Sequence, residues 1–195
     1  MRRGATLIVL LLAALLAACG NGAPKFQLTD ITGAEFGRDF QLTDHHGKPR
    51  TLADFRGKVV VVFFGYTHCP DVCPTTMGEL ALVMKELGKD AGEVQVLFIT
   101  VDPERDTPAV LAQYVPAFDP SFLGLYGDAE ATARTAKEFK VLYQKQALPG
   151  GSYAMDHSAG SFVFDPAGRL RLFASYGQSA PALLHDVRVL MQQAG

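Results

Sequence analysis

Cysteine is scarce: three residues in a chain of 195, at positions 19, 69 and 73. So few thiols exclude a scaffold held by several disulfides, and they leave a four-cysteine zinc site without enough ligands. Net charge is small as well, −2 at neutral pH, and removal of Arg2 and Arg3 with a leader takes it to −4. No basic patch points to nucleic acid. There is no internal repeat. The strongly apolar stretch, residues 7–16, is short for a helix that spans a bilayer.

That run lies in a leader. Arg2-Arg3 supply a charged start, and Leu16-Ala17-Ala18-Cys19 resembles a bacterial lipobox, which implies cleavage before Cys19 and lipid on its sulfur. An ordinary signal peptide or an N-terminal membrane helix is the plainer alternative. Arg2-Arg3 lacks the flanking pattern of a twin-arginine signal. Residues 1–19 are therefore expected to be a lipoprotein-type signal, residues 20–37 a tether and residues 38–195 the folded domain. Such a domain would be a membrane-anchored lipoprotein on the periplasmic side, in an oxidising compartment.

With Cys19 taken by lipid, Cys69 and Cys73 are the only thiols of the mature domain. They lie in Gly65-Tyr66-Thr67-His68-Cys69-Pro70-Asp71-Val72-Cys73-Pro74. The apolar run 59–64 ahead of this stretch predicts a buried strand. After it, Met77, Leu80, Val83, Met84 and Leu87 fall at helical spacing and predict a helix over 75–88. The two sulfurs thus sit where a strand hands over to a helix. A helix start presents free N–H groups and a positive dipole end, which favour thiolate over thiol. Pro74 fits the first helical position, making Cys73 the cap residue. A disulfide closing so short a loop is a weak staple. The pair is better suited to metal or to a dithiol–disulfide cycle than to core filling.

Further along, residues 94–101 predict a second strand, parallel to the first because a helix joins them. Thr107 or Asp106 caps a helix beginning at Pro108, residues 122–126 form a short strand, and Asp128 caps a helix over 129–139. Residues 141–154 form an excursion on two short strands. Segments 160–164 and 169–174 form a hairpin, and the last helix opens after Ser179. A small N-terminal hairpin uses 40–42 and 50–52. The order is that of an α/β thioredoxin-like fold with an N-terminal β-hairpin and an insertion around residues 103–127.

In that fold the loop Met155-Asp156-His157-Ser158-Ala159-Gly160 faces the cysteines. Two thiolates and the His157 imidazole make a soft, low-coordinate site suited to Cu(I), and able to take Cu(II) with a further weak ligand. Zinc competes for such ligands, and a loop histidine bonded to Asp156 or backbone is the bland alternative. Met155 is a candidate soft accessory ligand. His68 is expected to be exposed, His45 and His46 to be solvated turn residues and His185 to lie at the surface. Asp71 is explained by turn chemistry. Met77 and Met84 are expected in the core. Asp102 and Arg105 are read as a pair or cap within a loop.

These residues resemble the Sco/SenC family. The resemblance rests on the cysteine stretch, on Val101-Asp102-Pro103-Glu104-Arg105-Asp106-Thr107-Pro108, and on Asp156-His157-Ser158 followed by Phe162-Val163-Phe164-Asp165-Pro166-Ala167-Gly168. Asp54-Phe55-Arg56-Gly57-Lys58 agrees too. It covers roughly residues 38–193. It implies a membrane-anchored copper-binding protein that serves assembly of the CuA centre in subunit II of cytochrome c oxidase, with Cys69, Cys73 and His157 as copper ligands. The upstream copper donor is unknown. The rival is a thiol–disulfide oxidoreductase in which Cys69 and Cys73 cycle to keep the acceptor's cysteines reduced. A peroxidase is weaker still, because no threonine-x-x-cysteine pattern is present.

Overall fold

The two strands of the α/β core are buried along their whole length, β4 at Val59–Gly65 and β5 at Val94–Thr100. The computed structural model describes residues 25–194. The lipobox and Cys19 lie outside those residues. β4 and β5 pair in parallel, Val59 opposite Val94 through Gly65 opposite Thr100. They are joined by helix α1, Val72–Leu87, as a parallel pair requires a crossover. Burial on both faces is why β4 reads as a continuous apolar run and not as an alternation. Phe64 meets the Phe139 and Phe162 rings at 5.2 and 6.2 Å on one side. On the other side Phe63 lies 6.1 Å from the Phe98 ring.

The sheet grows outward from this pair. β9 (Gly160–Phe164) runs antiparallel to β4 with Phe63 opposite Ser161, and β10 (Leu170–Ser175) follows it. On the far side β6 (Leu123–Tyr126) adds parallel to β5, then β2 (Leu42–Asp44) and β3 (Pro49–Arg50) add as the small N-terminal hairpin. β1 (Thr29–Asp30) completes the other edge beside β10, giving the order β1-β10-β9-β4-β5-β6-β2-β3. Helices α2 (Pro108–Tyr114), α3 (Ala129–Glu138) and α4 (Ala180–Met191) complete the layers. Thr107 and Asp128 cap α2 and α3 as expected, accepting from Val110 N–H at 3.3 Å and from Ala131 N–H at 2.7 Å.

Two expectations are corrected. Residues 26–37 are not tether. Thr29 pairs with Phe173, Leu28 is buried, and the Gln27 and Leu28 N–H groups donate to the buried Asp186 carboxylate of α4 at 2.8–3.0 Å. Phe26, Ile31, Ala34 and Phe36 pack against the core as well, so backbone pairing, one distant carboxylate and apolar contact together hold the segment. His45 is not solvated either. It is buried, and its Nδ1 accepts the Gly124 N–H at 3.0 Å.

The excursion forms a hairpin of its own. β7 (Tyr143–Ala147) and β8 (Tyr153–His157) pair only with each other, Tyr143 opposite His157. The strand extends through His157, which therefore ends β8 instead of lying in a loop.

Candidate metal and thiol site

α1 starts earlier than expected. The Thr75 N–H bonds to the Asp71 carbonyl at 3.1 Å, which closes a first turn, so the cap position is Asp71 and Cys73 lies within that turn. Pro74 occupies the third helical position, where the N–H it lacks has no intrahelical partner anyway. The Asp71 side chain itself makes no capping bond. The Cys69 sulfur instead accepts the Cys73 N–H at 3.4 Å. The half-buried Cys69 thus sits at the mouth of the helix while Cys73 is fully buried; both are free thiols.

Close packing fixes Cys73. A Cβ on Gly65 would lie 2.9 Å from its Sγ and 2.9 Å from the Phe98 ring, so only glycine fits at the end of β4. Burial pushes the Cys73 thiol well above its ordinary range, and the neighbouring Cys69 and Asp106 add to that. Desolvation at this sulfur thus works against the thiolate that a helix start favours.

His157 closes the group. Its Nε2 lies 3.5 Å from Cys73 Sγ, and the two sulfurs and a His157 ring nitrogen all fall within 4.8 Å of one another. The opposite nitrogen, Nδ1, donates to the Ser158 carbonyl at 3.0 Å, which leaves the Nε2 lone pair facing the sulfurs. Phe63 and Tyr66 present ring edges to the imidazole at 6.3 and 5.8 Å. Burial lowers the His157 pKa, opposed by the Ser158 carbonyl and Asp156, so the ring is neutral and ready to ligate at neutral pH. Two thiols and one correctly oriented imidazole, partly walled by aromatic rings, suit a soft cation of low coordination number.

Beneath the cysteine loop lies a cluster of polar groups whose role the sequence did not reveal. Asp106 is buried and accepts from Thr67 Oγ1 and Thr100 Oγ1, both at 2.6 Å, and from the Thr67 N–H at 3.1 Å. These bonds pin the loop two residues before Cys69. Burial raises the Asp106 pKa, against the bonds from Thr100 and Thr67. Asp102 and Arg105 do pair. They also reach β8: Tyr153 Oη donates to Asp102 Oδ1 at 2.9 Å, and Arg105 Nη1 donates to the Tyr153 carbonyl at 2.9 Å. The signal in the sequence was a run of charged residues directly after a buried strand, within one of the stretches that carry the family resemblance.

The other candidates fall outside the group. The His68 ring is more than half exposed and lies 3.1 Å from Thr67 Oγ1. His185 is half-exposed beside Asp186 at 2.7 Å. Met77 and Met84 are core residues as expected, and Met155 is also buried in the core. Among the described residues no helix is long and apolar enough to cross a membrane.

Comparison with known proteins agrees with this geometry. Residues 28–192 match the SCO1/SenC family model. A bovine mitochondrial SCO2 homologue is 42% identical over 153 residues, covering 77% of this chain and 58% of its own length. The chain thus spans less than two thirds of the length of such mitochondrial relatives. The copper-bound structure of Bradyrhizobium japonicum ScoI is 41% identical with a TM-score of 0.74, covering 80% of this chain and 99% of that one. The solution structure of apo Sco1 from Thermus thermophilus is 42% identical with a TM-score of 0.76, covering 87% and 99%. The fold is thioredoxin-like, and the chain belongs to the SCO1/SenC family.

Proposed function

We propose that this protein is a copper carrier that serves assembly of cytochrome c oxidase, delivering copper to the CuA site of subunit II. The observation that carries this reading is the convergence of the Cys69 and Cys73 sulfurs and the His157 nitrogen within 4.8 Å. Such a set holds Cu(I) through two thiolates and an imidazole and leaves coordination open for an incoming ligand. Transfer then proceeds by exchange, the acceptor's cysteines replacing these ligands one at a time. Both thiols must lose protons as the metal binds, so loading releases acid. In this reading lipid on Cys19 moors the domain to the membrane on the periplasmic side.

The test is titration of the reduced protein with Cu(I). We expect one equivalent per chain and large losses of affinity in Cys73→Ser and His157→Ala. Unchanged affinity in both variants would refute the site. Conversion of Cys19 to serine should release the protein from the membrane fraction.

One observation favours a second activity of the same pair. Cys69 is partly exposed and Cys73 is buried behind it, which is the arrangement of an attacking and a resolving thiol. Reduction of the acceptor's cysteines by this pair leaves a Cys69–Cys73 disulfide here and a dithiol there. This exchange does not need His157, so a His157→Ala variant that retains disulfide reduction while losing copper separates the two activities.

A further inference from the structure

We propose that Arg105 is a positioning residue for His157, locking the β7–β8 hairpin in the pose that brings the imidazole onto the two sulfurs. The juxtaposition behind this is specific. His157 is carried by a hairpin that makes no ladder with the main sheet. Both cysteines belong to the loop and helix that follow β4, the buried centre of that sheet. Something must hold one unit in register with the other.

The base of the hairpin is closed internally, by Ser158 N–H to the Leu142 carbonyl at 2.9 Å and Leu142 N–H to Ser158 Oγ at 3.0 Å. With Tyr143 opposite His157, the hairpin moves as a piece. Beyond the buried Met155 and the run into β9, its polar attachment to the body is at Tyr153, four residues up β8, a lever of about 13 Å. Arg105 grips that point through Nε, Nη1 and the face of its guanidinium, while Nη2 is buried without a partner. Nε bonds to the buried Asp102, Nη1 donates to the Tyr153 carbonyl at 2.9 Å, and the guanidinium lies 3.6 Å from the centre of the Tyr153 ring. Asp102 in turn accepts the Tyr153 hydroxyl at 2.9 Å. The same guanidinium lies 5.7 Å from the centre of the Tyr66 ring, which packs edge-on against the His157 imidazole. Arg105 therefore touches both supports of His157, the strand that carries it and the ring beside it, without touching the ligands. A lysine cannot replace it, because one ammonium cannot bond Asp102, reach the Tyr153 carbonyl and stack on the ring together.

The proposal rests on the copper reading for one arm of its test and not for the other. In the metal-free, reduced full chain, Arg105→Lys and Tyr153→Phe should weaken the nuclear Overhauser contacts between the His157 ring and the Phe63 and Tyr66 rings. Unchanged contacts in both variants overturn the proposal whether or not copper binds. In the Cu(I)-loaded full chain, removal of copper by bathocuproine disulfonate should quicken about 10- to 100-fold in Arg105→Lys, the range for groups that orient a metal ligand. The same change made in a His157→Ala background should add nothing. An equal acceleration in both backgrounds shows that Arg105 acts on the cysteines or on the fold at large, and overturns the proposal. If Arg105→Lys does not fold, Tyr153→Phe carries the same cycle with only one hydroxyl removed. A parent chain that binds no Cu(I) refutes the copper reading and leaves the first arm decisive.

Discussion

The β4–β5 pair and the β7–β8 hairpin are both two-stranded units, and they are held by opposite means. Every position of β4 and β5 is buried, and apolar packing on both faces fixes them. In the hairpin, β7 is exposed at all positions after Tyr143, and in β8 only Met155 is buried. Polar contacts through Arg105, Asp102 and Tyr153 do much of the work there. The first unit carries the cysteine loop and the second carries His157. One part of the site is thus built into the core, and the other is attached to it by directional bonds that break one at a time. For the copper carrier proposed above, which would hold an ion and then give it up, this division places the firm ligands on the rigid unit.

Hydrogen exchange gives the largest contrast. Amides of β7 and β8 should exchange orders of magnitude faster than those of β4 and β5, because local opening needs only the polar clasp to part. Similar protection in both units would erase the distinction. Next comes Phe64→Ala, which should cost about 3–5 kcal/mol in urea denaturation by emptying the space between Phe139 and Phe162. Gly65→Ala should cost about 1–3 kcal/mol by overpacking against Cys73 and Phe98, and should weaken Cu(I) binding too.

The pH response is smaller. Burial lowers the His45 pKa, His46 adds to this and Asp44 opposes it. The unfolded chain takes up that proton near pH 6.5, where the native ring still refuses it. Stability should therefore fall as pH drops below about 6.5. His157 contributes with the same sign. His45→Asn keeps an acceptor for the Gly124 N–H and should flatten part of the slope, read from urea midpoints between pH 7 and 5. Smallest of all is Lys145→Ala. Its 2.7 Å pair with Glu104 joins two exposed side chains, and its loss should move stability by no more than about 0.5 kcal/mol. A large loss there would show that the hairpin is held at its outer surface and not by Arg105.

Sequence pattern reached the rigid unit far more easily than the attached one. The apolar run 59–64 reveals β4 because burial on both faces leaves no polar position there, and β5 reads nearly as plainly, with only Gln95 and Thr100 interrupting 94–101. Thr107 and Asp128 mark helix starts because a cap is a local bond, three residues long. Cys69, Cys73 and His157 were visible as a soft ligand set, but their meeting depends on topology. The start of α1 was missed because a proline and a cysteine both looked like boundary residues. The buried His45, the strand at Thr29 and the tie from Arg105 to Tyr153 were missed for a common reason. Each depends on a partner between 48 and 159 residues away, and no local spacing announces such a partner.

The way the chain enters the sheet has a mechanical consequence. β1 pairs with β10, and just before it the chain bends at Gln27 and Leu28 so that both N–H groups reach Asp186 of α4, while the Phe26 ring lies 5.6 Å from the Arg171 guanidinium. The entering segment is thus clasped between an edge strand and the last helix. A pull from its N-terminal side is borne by that clasp first, and reaches the strands beneath the cysteine loop only once the clasp has given way.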